Sequence, residues 1–270
     1  VLFSLITVGY SANALGGAGG PLAVLIIAIV AAELGKAVSK ETKVDILVTP
    51  LVTIFAGVGL SMLIAAPIGA AASQVGTLIM WATEQAPLVM GILVSVIVGV
   101  ALTLPISSAA ICAALGLTGL AGGAAVAGCC AQMVGFAVMS YKENGVGGLV
   151  SQGLGTSMLQ MGNIIKNPRI WIAPTLASAI TGPLATCLFH FEMNGAAVSS
   201  GMGTCGLVGQ IGVYTGWVSD IAAGTKAAIT PMDWAAMVLL CFVLPAVLSV
   251  VFCEVERKLG WIKDGDLKLN

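Results

Sequence analysis

The residues best suited to chemistry in this 270-residue chain are neutral hydrogen-bonding groups gathered in one stretch. Tyr141-Lys142-Glu143-Asn144-Gly145 is soon followed by Ser151-Gln152 and Gln160-Met161-Gly162-Asn163. Glu143, Asn144, Gln152, Gln160 and Asn163 are the densest set of amide and carboxyl groups in the sequence. Such groups exchange hydrogen bonds with hydroxyls without demanding a charged ligand, which is the chemistry that holds a sugar or polyol. The competing reading is a solvated loop whose Lys142–Glu143 pair is worth little. A second polar break lies at Pro105-Ile106-Ser107-Ser108. Pro105 removes a backbone donor, and the hydroxyls of Ser107 and Ser108 either contact a solute or heal the kink. Gly153-Leu154-Gly155-Thr156-Ser157 and Gly201-Met202-Gly203-Thr204-Cys205 share a Gly-x-Gly-Thr-small pattern. They are expected to be equivalent hairpin tips of an internal repeat, with Thr156 and Thr204 beside a solute held between them. His190 and Glu192, two titratable groups near the end of an apolar run, suit gating or proton handling, against the blander reading of a capped helix end. Glu33 and Glu84 are intramembrane carboxylate candidates, although Lys36 stands one turn from Glu33.

Equally informative is the chemistry left out. No Gly-x-x-x-x-Gly-Lys-Ser/Thr phosphate loop occurs, His190 is the single histidine, and no long polar stretch can fold as a catalytic or phosphocarrier domain. No catalytic residue, cofactor or metal site is expected. The seven cysteines suggest neither a disulfide framework nor a metal site: Cys112, Cys129, Cys130, Cys187, Cys241 and Cys253 lie in apolar or Gly-rich runs where a thiol serves as a small hydrophobe. Net charge is −1, which excludes a nucleic-acid footprint.

The elements that must position these residues are transmembrane helices. Hydrophobic residues make up 58% of the chain and charged ones 9%, against about 25% charged in a soluble domain. Mean hydropathy is +1.05. Apolar runs at Pro21 to Val38, Ile46 to Ala72, Pro87 to Leu104, Leu120 to Met139, Ile170 to Phe189, Gly201 to Val218 and Ala235 to Cys253, with Val1 to Tyr10 as a remnant of another, predict about eight crossings. The fold expected is an all-α polytopic bundle of eight to ten membrane segments, including re-entrant hairpins. It forms a single transmembrane domain over 1–270, with 254–270 as a short cytoplasmic tail. The chain opens at Val1 inside an apolar run without a charged leader, so a preceding piece is expected to be missing. Thirty-five glycines cluster at Gly16 to Gly20, Gly116 to Gly128, Gly145 to Gly155 and Gly201 to Gly216. They imply either close helix packing or broken helices lining a wet cavity. Lys36, Lys40 and Lys43, together with Arg257, Lys258, Lys263 and Lys268, place both of their segments on the cytoplasmic side. The same count puts Lys142, Lys166 and Arg169 outside, a conflict that one miscounted segment would remove.

Five segments carry a family resemblance: Lys40-Glu41-Thr42-Lys43-Val44-Asp45-Ile46, Leu102 to Ala110, Ser140-Tyr141-Lys142-Glu143-Asn144-Gly145, Gly155-Thr156-Ser157-Met158-Leu159-Gln160 and Gly201-Met202-Gly203-Thr204. From about Gly16 to Trp217 the chain resembles the compact, IIC-only membrane subunits of the bacterial phosphotransferase system. The resemblance implies a permease of the bacterial inner membrane, a homodimer, and separate IIA and IIB phosphocarrier partners. It matches Glu143 and His190, by residue type only, to the Glu and His of larger sugar permeases. The leading expectation is a permease for a small hydroxylated solute. The alternatives are a gradient-driven or facilitative carrier without a phosphorelay, and a membrane sensor that binds a ligand without moving it.

Overall fold

The computed structural model describes residues 20–39 and 45–269. Val1 to Tyr10, most of the first glycine cluster, and Lys40 and Lys43 lie outside them. Among the described residues the structure is an all-α polytopic bundle. Four helices are long and apolar enough to cross a membrane (Asp45–Gln85, Gly119–Met139, Pro168–Leu188 and Pro231–Lys258), and Pro87–Thr103 is a shorter apolar one.

The described residues fall into two compact units. The first holds α1 (Gly20–Val38) and the part of α2 (Asp45–Gln85) up to Thr77. Ala23, Ile27 and Ala31 recur every four residues on one face of α1 and close on Ala65 of α2. Gly35 of α1 stands where a side chain would strike Thr53 of α2. Glu33 pairs with Lys36 at 3.9 Å, and both side chains are exposed.

The second unit is built around α5 (Gly119–Met139), whose sequence is almost wholly Gly, Ala and other small or apolar residues. A helix with no large or polar face is buried on all sides, and α5 is enclosed by α3 (Pro87–Thr103), α8 (Ile172–Pro183) and α11 (Leu244–Lys258). Glycine sets the spacing: a Cβ on Gly128 would overlap the Ser95 carbonyl of α3, and one on Gly182 of α8 would overlap Gly91 and Ser95. These are the short backbone approaches that let helices associate in lipid. Around this centre, Leu93, Ile97, Val247 and Val251 are exposed and apolar, as a lipid-facing surface requires.

The remaining helices are shorter. α4 (Ser108–Leu115) follows the break after Thr103, mostly within this unit. α10 (Pro231–Val238) runs through a wide π-helical turn, Leu239–Val243, into α11. Pro245 cannot donate to the preceding turn, and widening that turn absorbs the loss.

One expected crossing is not a crossing, and one stretch outside the expected crossings is re-entrant. Residues 141–166 enter and leave at one end of the unit as α6 (Tyr141–Val150), an irregular tip and α7 (Met161–Lys166). The run Gly201 to Val218, expected to span, is the tip and return arm of a second hairpin that ends in α9 (Val208–Ala222). With that segment removed from the count, Lys142 and Arg169 come to the same end as the residues after α11. Lys142 lies 3.2 Å from Glu254, and Arg169 stacks on Trp261 at 5.7 Å. The parity that separated them from those residues is therefore corrected, whereas the count of expected runs between Lys36 and the same residues becomes odd, so the placing of both segments on one side no longer follows from it.

Candidate functional site

Each hairpin is produced by local backbone that cannot continue a helix. In hairpin 1, Gly145 (φ 58°) kinks α6, and Ser151–Gly155 forms a π-helical turn. Thr156 is then extended, and its hydroxyl accepts from the Met158 N–H to start a short 3-10 turn, Ser157–Gln160. Hairpin 2 begins with an extended arm. Gly119 and Met193 exchange backbone hydrogen bonds at 3.0 Å each way, and Gly123 leaves room for the Phe191 carbonyl. The chain turns through left-handed Gly203, Gly206 and Leu207. On the return helix Gly209, Gly212 and Gly216 lie against Gly203, Ser199 and Gly195, so the arm rests directly on the helix backbone.

The two tips approach from opposite ends of the bundle and meet inside it. Thr204 donates to the Gly153 carbonyl, joining the two Gly-x-Gly-Thr segments. Gly203 sits on the backbone of Cys129 and Cys130, at the middle of α5. Ser108 donates to the Gly201 carbonyl at 2.7 Å. Next to the tips, Ser157 and Thr103 share a hydrogen bond at 2.9 Å, and Thr103 donates to Gln132 at 3.3 Å. Gln132 also accepts from the Trp171 indole at 2.9 Å and donates to Thr175 at 3.3 Å and to Ser178 at 3.5 Å. Thr103, Ser157, Thr204 and Gln132 are fully buried, so hydroxyls and one amide form a polar centre among apolar helices. Broken helices with polar tips are tolerated at that depth only where protein or a wet cavity surrounds them.

Not all the expected site residues join this centre. Ser108 and Thr204 do, Thr156 shapes the tip, and Ser157, which was not among them, takes part in the centre. Ser107 caps α4 at its surface, accepting from the Ala110 N–H at 3.1 Å. Glu143, Asn144, Gln152, Gln160 and Asn163 do come together, but their hydrogen bonds are made with the chain itself. Gln152 donates to Ser140 at 2.7 Å, Gln160 donates to Gln152 at 2.9 Å, and Asn163 donates to Gln160 at 2.7 Å. Asn144 and Gln160 both donate to the Leu267 carbonyl, and Asn163 donates to that of Lys268. Glu143 pairs with Arg257 at 3.1 Å.

His190 and Glu192 lie at the other end, so Glu143 and His190 are not brought together. They line a cavity of about 490 Å³ with Trp217, Asp220, Lys226 and Asp233. His190 holds a left-handed backbone (φ 43°), an uncommon conformation for a side chain of its size. Asn194 bridges the carboxylates of Glu192 (3.1 Å) and Asp220 (2.9 Å). Lys226 pairs with Asp233 at 2.8 Å and lies over the Trp217 ring.

Sequence reasoning missed Gln132. Its signal was present: one amide in a helix of Gly, Ala and Cys is an intramembrane polar residue, a functional candidate by default. Asn194 and Asp220 were missed because their meeting depends on the hairpin.

Searches among curated proteins and among solved structures found no match. The family model described as phosphotransferase system, EIIC, matches residues 4–269, nearly the whole length. A helical membrane protein with opposed broken hairpins agrees with that match, and the chain belongs to the phosphotransferase system EIIC family.

Proposed function

We propose that this phosphotransferase-system membrane permease moves a small hydroxylated solute, a sugar or polyol, past the meeting point of the two hairpin tips. The observation that carries the reading is the Thr204–Gly153 contact beside the buried Gln132, Thr103 and Ser157 groups. Opposed hairpins that meet within a bundle place a binding site where small movements open it to one side or the other. The lining groups are neutral donors and acceptors, which suit hydroxyls and give no countercharge to an ion.

The two ends differ in charge. Lys142, Lys166, Arg169, Arg257, Lys258, Lys263 and Lys268 belong to the end where hairpin 1 enters, whereas the opposite end has Lys226 among Glu192, Asp220 and Asp233. The excess of Lys and Arg supports a cytoplasmic location for the first end. The cavity beside His190 and Glu192 then faces outward, where a gating role for the two residues has its place. On this reading the solute is phosphorylated, if at all, at the basic end by a separate IIB protein charged by IIA. A homodimer in the bacterial inner membrane, as the resemblance implies, belongs to the same proposal.

Uptake of a panel of labelled sugars and polyols into proteoliposomes, with and without phosphorylated IIB protein, tests it. Saturable uptake that Ser157→Ala and Thr204→Val depress is the expected result. Saturable binding with no uptake under either condition would replace the permease reading with a sensor.

A further inference from the structure

We propose that residues 260–269 form a strap that locks hairpin 1 shut from the basic end and must lift for the hairpin tip to become accessible. This inference rests on the permease reading for its purpose, but its geometry stands apart from it. The segment leaves α11 through Gly260 (φ 72°) and turns again at Gly265 (φ 98°), two left-handed positions that glycine adopts without strain. Beyond α11 it lies across hairpin 1, held mainly through its main chain. The Gly265 N–H donates to Glu143 at 3.2 Å and the Leu269 N–H to Asn144 at 2.8 Å. The Leu267 carbonyl accepts from Asn144 at 2.8 Å and from Gln160 at 3.0 Å, and the Lys268 carbonyl accepts from Asn163 at 3.0 Å. Side-chain amides that recognise peptide groups in this way act as a receptor for an extended strand. Ile262, between the two glycines, and Leu267, beyond the second, are buried in the apolar cluster around Phe136 and Ile164 and pin the strap at two points.

Two further features point to a gate rather than a passive end. Cavities of about 180 and 340 Å³ flank the strap and share Asn163 and Lys268, so the groove continues on both sides of it. A short relay also leads from the strap to the tip: Leu267 carbonyl to Gln160, Gln160 to Gln152, and then Gly153, whose carbonyl receives Thr204. With the strap in place every amide in the relay has a partner and hairpin 1 is held rigid. Lifting it leaves the amides of Asn144, Gln160 and Asn163 short of acceptors, a state that favours water penetration and movement of the hairpin.

The test is thiol labelling of the purified full chain with a polar maleimide, in a Cys187→Ser/Cys205→Ser background. In that background Leu267→Cys should label slowly. Adding Asn144→Ala and Asn163→Ala removes three hydrogen bonds to the strap, and with them the Asn163–Gln160 bond, and should raise the rate by at least about tenfold. Ser157→Cys at the hairpin tip, measured in parallel, should accelerate in the same variant. Glu143→Ala, which removes the acceptor of the Gly265 N–H together with the Arg257 ion pair, gives the same comparison should the double variant fail to purify as a monodisperse protein. Rapid labelling of Leu267→Cys without the releasing substitutions would overturn the strap. An unchanged Ser157→Cys rate after demonstrated release would overturn the gate. Labelling requires no transported solute, so a failure of uptake in proteoliposomes bears on the permease reading alone.

Discussion

At the scale of single residues, the polar centre is organised by Gln132. Its carbonyl oxygen receives Trp171 and Thr103, and its amide reaches Thr175 and Ser178, so one side chain ties α3, α5 and α8 together with the start of the α8 segment. Gln132→Leu keeps the volume but leaves the part-buried Trp171 indole N–H and the buried Thr103 hydroxyl short of an acceptor. A loss of about 1–3 kcal/mol is expected, with the lower part of that range favoured for hydrogen bonds between membrane helices. Thermal unfolding in detergent measures it, and an unchanged midpoint would mean that these bonds add nothing to stability. Gln132 also shows where the sequence was hard to read. The set Glu143, Asn144, Gln152, Gln160 and Asn163 was legible as a cluster because its members are close in sequence. What they bind was not, because Leu267 lies 107 residues from Gln160. A lone amide in a glycine helix has no such neighbours to announce it.

At the scale of elements, glycine has two separable duties, and substitutions can tell them apart. Gly128 lets α5 rest on the Ser95 backbone, so Gly128→Ala must separate α3 from α5; a loss of about 1–3 kcal/mol or more follows from overpacking. Gly147 in α6 has open space where a Cβ would go, so Gly147→Ala should be neutral or stabilise by up to about 1 kcal/mol through helix propensity. Equal effects in a thermal unfolding assay would contradict the division. The helices α3, α5, α8 and α11 follow closely from their apolar runs, since lipid leaves the backbone few alternatives. Hairpin 2 does not follow, because the run from Gly201 to Val218 is long and apolar enough to resemble a span. Only the left-handed positions Gly203, Gly206 and Leu207 show that the chain turns back. Hydropathy is blind to backbone torsion, and parity failed at that point.

At the scale of the whole molecule, the second unit is a two-ended device, and its ends are chemically unlike. The acidic cavity is lined by Trp217, whereas at the basic end residues 260–269 are hydrogen-bonded across hairpin 1. A permease that receives a neutral solute on one side and delivers it to a phosphorylating partner on the other needs such a difference. On the proposed orientation, carboxylates at the outer mouth would disfavour anionic solutes, and cationic groups at the inner mouth would suit a phosphoryl-bearing protein or product. The arrangement stands on one topological consequence, that the loop after α9 and the segment after α11 face opposite compartments. Single cysteines at Ala227, in that loop, and at Lys263, in that segment, are both exposed and can be labelled in right-side-out and inverted vesicles with an impermeant maleimide. Ala227→Cys should react in right-side-out vesicles and Lys263→Cys only in inverted ones. Reaction of both from one side would contradict the single crossing, Pro231–Lys258, that separates them, and with it the assignment of an outer and an inner mouth. Exchange of the two patterns would keep the two mouths but reverse their order, placing the strap on the side from which the solute arrives.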